Sequence, residues 1–204
     1  MYNTKIINLA EKYISKYNTG KKNPYHNNQH MLFVRDMCMK IFDDYLSKNK
    51  MSELAIDENK LILNLAALFH DFDHFGKPCP DIENIKKAVE GFKTFYHFSG
   101  VNELSSFIYN SIISVIEATE FPHKPISDKA ILIHIIRDAD TIGGIYDGWQ
   151  EVVRNICKEM NKSVEYWIPI QHKFISNITY KTDYAKQLYS ERRKAVLSDL
   201  LRLK

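Results

Sequence analysis

The segment Leu61–Phe69 is apolar almost all round, through Leu61, Leu63, Leu65, Ala66, Ala67, Leu68 and Phe69. A helix with no polar side must be covered by other elements, so this segment is expected at the centre of the fold. It ends abruptly in His70-Asp71. An imidazole and a carboxylate at the mouth of a core helix are costly to bury unless something satisfies them. A divalent cation would satisfy both; the plainer alternative is that Asp71 ends the helix facing solvent.

The rest of the chain reads as helices packed around that centre. Apolar residues recur at helical spacing over 2–18, from about Asn27 to about Leu46, and from Ser52 or Glu53 to Phe69. Residues 72–82 carry Gly76, Pro78 and Pro80 and predict a loop, after which Asp81 is placed to cap a helix through about Phe98. Residues 102–118 repeat the pattern. Ser127-Asp128 is expected to open an apolar helix that reaches Ile142 and stops at Gly143-Gly144. Two or three more helices fill 147–202, with interruptions expected near Pro169 and Asn177. No strand pattern and no repeat is evident, so the expectation is an all-α fold of about eight or nine helices.

With 204 residues, 45% of them hydrophobic, the chain suits one domain, 1–204. A formal charge of +3 is too small an excess to point to nucleic acid. Cys38, Cys79 and Cys157 are scattered without metal or disulfide spacing, which favours a reducing compartment. The N-terminus lacks the apolar run of a signal peptide, and no window has the 18 or so apolar residues of a membrane span. A cytoplasmic protein that does not enter the membrane is expected. Nothing in the sequence sets the oligomeric state.

Four groups of residues carry possible chemistry. His70-Asp71 is the first. His26 and His30 stand four apart, so both rings can project from one helical face, sharing a metal or dividing metal binding from proton transfer. Arg137-Asp138-Ala139-Asp140 interrupts an apolar helix. Its two aspartates point in different directions, one toward an internal site and one toward solvent or a base such as His134 or Arg137. His74 follows His70 by four residues and neighbours it if the helix continues one more turn.

Together the runs Tyr25-His26-Asn27-Asn28-Gln29-His30, Ala66-Ala67-Leu68-Phe69-His70-Asp71 and Ala139-Asp140 resemble the HD-domain metal phosphohydrolase superfamily, whose pattern is His…His-Asp…Asp. The resemblance covers about residues 24–142, with 143–204 as its helical C-terminal part. The runs at 25–30 and 70–76 look most like the cyclic-nucleotide phosphodiesterase branch. The resemblance implies a compact HD-domain helical bundle in which His30, His70, Asp71 and Asp140 hold a metal. Asp71 would bridge to a second ion ligated mainly by water. His26 matches the histidine that protonates the leaving oxygen, and His74 one beside the water network.

The implied activity is cleavage of a nucleotide or related phosphate mono- or diester by attack of a metal-bound water. One or two ions serve, about 3.5–4 Å apart when there are two. Imidazole and carboxylate ligands suit Zn, Mn or Fe, and a water-rich second site suits Mg or Mn. Lys77 is a candidate phosphate contact, and Glu117 and Glu120 are candidate pocket residues. Asn27 and Asn28 support binding or simply begin a helix. His97, His123, His134 and His172 match no family position and are expected to be structural or exposed. The phosphodiesterase catalytic domain is much longer than this chain, and Gln150, Gln171 and Gln187 lie outside any motif for the purine-facing glutamine. A compact member acting on a small phosphate ester is therefore the expected form, with guanosine-tetraphosphate hydrolases and nucleoside monophosphatases sharing the metal pattern. The competing reading is a non-catalytic helical module that binds a nucleotide or a protein.

Overall fold

The computed structural model describes residues 2–100 and 104–203. They form nine α-helices and no strand: α1 Tyr2–Tyr17, α2 Asn28–Lys48, α3 Glu53–Phe69, α4 Asp81–Phe98, α5 Ser106–Glu117, α6 Ile131–Thr141, α7 Trp149–Glu159, α8 Val164–Asn177 and α9 Asp183–Leu200. None of the described helices is long and apolar enough to cross a membrane. The all-α expectation holds.

The apolar run does occupy the centre. From Leu61 to Phe69 every residue of α3 is buried, and α3 packs against α1, α2, α4, α5 and α6. Ser52 caps its start by accepting from the Ala55 N–H. At its other end Phe69 and Phe72 pack with Tyr13, Phe92 and Phe95 in an aromatic cluster, with ring centroids 5.2–6.1 Å apart. This cluster fixes the turn that carries Asp71. Gly91 in α4 is part of it, because a Cβ there would meet the Phe72 ring at 2.2 Å. Gly91→Ala gains about 1 kcal/mol of helix propensity but forces the ring out of a packed site, which typically costs about 1–3 kcal/mol. A net fall in melting temperature is expected in a thermal melt.

Several boundaries differ from expectation. Residues 102 and 103 lie outside the described residues, and α5 begins at Ser106, capped by Ser105. Helix α6 starts at Ile131, not at Ser127-Asp128. The Ser127 hydroxyl accepts from the Lys129 N–H and its carbonyl from the Ala130 N–H, so this serine closes a local turn that competes with helix. Pro169 does not interrupt the chain: it is the sixth residue of α8, and the carbonyl it leaves free belongs to exposed Glu165, which water can reach. Asp81 is the first residue of α4 and not its cap. Its Oδ2 instead accepts from the Phe121 N–H at 2.7 Å.

Asp138 neither faces solvent nor pairs with His134 or Arg137. It is buried, and its carboxylate accepts from the N–H groups of Lys181 and Thr182 and from the Thr182 hydroxyl at 2.7–3.2 Å. It thereby ties α6 to the start of α9. Arg137 uses its guanidinium on the carbonyls of Ala118 and Lys124. Asp138→Ala leaves those buried donors without an acceptor, and a loss of about 2–3 kcal/mol is expected in denaturant unfolding.

Candidate metal centre

Three elements bring four donors to one point. The Asn27 side chain caps α2, accepting from the Gln29 and His30 N–H groups, which places His30 in the first turn. His70 and Asp71 follow α3 directly, and Asp140 is near the end of α6. His30 Nε2 lies 3.0 Å from Asp140 Oδ1 and 3.3 Å from Asp71 Oδ2; His70 Nε2 lies 3.4 Å and 3.1 Å from the same two atoms. The two imidazole nitrogens are 3.4 Å apart. Donor edges of about 3.0–3.4 Å are those of a first-row ion with ligand bonds of roughly 2.0–2.2 Å.

Two further observations fit a cation. Asp71 Oδ2 is buried with no hydrogen-bond partner, although it is one of the four converging donors. His70 Nδ1 is 2.8 Å from the Ala67 carbonyl, which can only accept, so Nδ1 carries a proton and Nε2 is the atom aimed at the other donors, where a bound ion would take the place of its proton. The electrostatics agree. Burial opposes charge on Asp71 and Asp140, yet the neighbouring imidazoles hold both carboxyls well below the usual range. Burial opposes charge on His70 as well, and Asp71 and Asp140 outweigh it to raise its pKa well above normal. The cluster stabilises positive charge, and its His/His/Asp/Asp composition can hold a metal ion.

Beside it lies a cavity of about 330 Å³ lined by Asp71, Asp140, His26, His74 and Lys77 among others. His26 precedes the Asn27 cap, so it projects from the bend before α2 and not from the face of that helix. Its ring packs on His74, with centroids 3.9 Å apart, and stands perpendicular to His30. His74 is not stacked on His70: α3 stops at Phe69, and a turn with the His74 N–H on the Asp71 carbonyl redirects the chain. Asp73 adopts φ 59° in that turn, its carboxylate accepting from the Thr19 N–H and hydroxyl.

Two functional neighbours escaped the sequence reading. The Glu159 side chain is fully buried at the end of α7. Its Oε2 accepts from the N–H groups of Tyr25 and His26 at 2.9 Å, and its Oε1 is in close contact with His26 Nδ1. Its position three past Ile156 and seven past Val152, on the edge of an apolar stripe, was the available signal. Asn23 donates through Nδ2 to the carbonyls of both His26 and His74, at 3.1 and 2.9 Å. Gly76, at φ 62°, packs so closely that a Cβ would meet the Asn23 side chain at 2.4 Å.

His26, His74 and Glu159 form a second group able to hold a cation. Part of it is already engaged: Glu159 is bonded through both oxygens, and His74 Nδ1 accepts from the Gly76 N–H. Burial lowers the His26 pKa, but Asp71 and Glu159 outweigh it and raise the value overall. Burial and the facing His26 cation bring His74 down to about 4, so it stays neutral.

Lys77 is an exposed loop residue that also lines the cavity. Glu117 and Glu120 do not; they line a neighbouring groove of about 630 Å³ with Arg137, away from the four donors. Asn27 and Asn28 belong to the helix start: Asn28 Oδ1 accepts from Asn18. His97, His123, His134 and His172 are absent from the cavity lining, and His134 is buried in α6. Comparison of the chain with protein-family models, curated proteins and solved structures gives no match.

Proposed function

We propose that this chain is a metal-dependent phosphohydrolase that cleaves a small phosphate mono- or diester, nucleotides being the substrates its motifs favour. The observation that carries the reading is the convergence of four donors, one of which, Asp71 Oδ2, is buried with no hydrogen-bond partner. The resemblance to HD-domain phosphohydrolases, in the order His26, His30, His70-Asp71 and Asp140, supports it independently.

His30, His70, Asp71 and Asp140 would hold the ion. A bound Zn, Mn, Fe or Mg ion supplies Lewis acidity, which offsets phosphoryl charge and lowers the pKa of water. The chain's own groups do the rest. His26 carries its proton beside the cavity, where it donates from Nε2 to the leaving oxygen. Glu159 keeps the Nδ1 side of that ring bonded and steadies the imidazolium, while Asn23 fixes the backbone on either side. His74 accepts at Nδ1 from Gly76, so its neutral tautomer presents an Nε2–H that orients an oxygen of water or substrate. Lys77 supplies the cationic arm for a phosphate oxygen.

The test is turnover of nucleoside monophosphates, cyclic nucleotides and a generic diester before and after chelation. Loss on chelation and recovery with Mn, Mg or Zn is the expected result. Absence of turnover with every ion and ester, from protein that binds metal, would overturn the hydrolase reading in favour of a binding module.

A further inference from the structure

We infer that Phe121 is the platform on which the non-phosphate part of the ligand stacks, and that this site selects planar aromatic groups without distinguishing one base from another. This rests on the phosphohydrolase reading for its anion and deepens it by naming the ligand's other half.

Phe121 is 50% exposed and is the one aromatic carbocycle lining the metal-side cavity among the described residues. A large apolar ring held half in water at the edge of a cavity is a surface that a flat ligand covers at a gain. The ring is also held in place. Its backbone N–H donates to Asp81 Oδ2 at 2.7 Å, and its edges pack on His123 and Phe174, with centroids 5.3 and 6.1 Å away. Ile85 and Met160 continue the apolar lining. The phosphate end has its own partners, Lys77 and the four donors, so the cavity offers an anion site and an arene site together.

The polar groups on the same lining argue for tolerance. Asp81 accepts through both oxygens, from Phe121 and from the Asn84 amide. Asn84 Oδ1 accepts from the Phe75 N–H and the Cys79 thiol. Thr119 donates its hydroxyl to the Ile116 carbonyl. These side chains are committed to holding the loop, which leaves stacking as the means of recognition. Stacking is sequence-tolerant because every base has a π face.

Phenylphosphonate and cyclohexylphosphonate carry the same anion and cannot be hydrolysed at the P–C bond, so calorimetric titration of metal-loaded protein isolates the arene. The wild type should bind the phenyl compound about fivefold more tightly. Phe121→Leu should erase that preference and Phe121→Trp retain it, with unchanged melting temperatures because the ring is half exposed. The four nucleoside 5′-monophosphates should compete with phenylphosphonate within about threefold of one another. Equal binding of the two phosphonates by the wild type, a preference that survives Phe121→Leu, or a more than tenfold advantage for one base would each overturn the inference. Failure of the hydrolase reading shows separately, as absence of turnover with stacking intact.

Discussion

Asp71→Asn is expected to lower phosphate-ester turnover by at least about a thousandfold, roughly 4 kcal/mol of barrier, while the protein still folds. The substitution keeps the shape of the side chain and removes its charge from the donor set. Asp71 Oδ2 is buried with no hydrogen-bond partner, and what the metal-free fold gives up in the amide is the attraction of His70 and His30, which lie 3.1 and 3.3 Å away. What is lost is the cation. A ligand at a hundred times its dissociation constant stabilises the folded state by about 2.7 kcal/mol, and for a chain of this size each kcal/mol moves the melting temperature by about 2–4 °C. Wild-type protein should therefore melt about 5–10 °C higher with saturating metal, and Asp71→Asn should show no such rise. Retained metal together with retained turnover would remove Asp71 from the centre.

Glu159→Gln should lower kcat about a hundredfold with little change in metal content, the range expected when a general acid loses its orienting partner. The amide can still accept from the Tyr25 and His26 N–H groups through its oxygen, so the strap before α2 keeps its place. It cannot supply the negative charge that, with Asp71, raises the His26 pKa. A proton donor works below its pKa, and activity falls as pH rises through that value. Removing Glu159 lowers the pKa of His26, so the alkaline limb of kcat/KM should move to lower pH. A uniform drop across the pH range, without movement of that limb, would make Glu159 a structural residue only.

Part of the candidate metal centre was legible in its local setting: His70-Asp71 closes an apolar helix, and the Asp138–Asp140 pair interrupts another, while the resemblance singled out His30 and Asp140. The residues around the candidate centre were less so. His26 was found by its spacing to His30, but the shared helical face does not exist, since Asn27 caps α2 between them. His74 was linked to His70 and stacks on His26 instead, because the chain turns at Phe69–His74. Glu159 and Asn23 look like surface polar residues until α7 and the strap before α2 are brought together across 134 positions of sequence separation.

The sequence by itself determined the helical class, the central place of α3 and the oddity of His70-Asp71 at its end. These follow from periodicity and from the cost of burying charge, both of which act within a few residues, whereas His30 and Asp140 were singled out by the resemblance. Only the tertiary structure decided what Asp138 does, which is to bind Lys181 and Thr182, which carboxylate holds His26, and that Phe121 and not Glu120 lines the cavity. Those outcomes depend on where separate helices cross, and a crossing is set by the packing of side chains far apart in the chain.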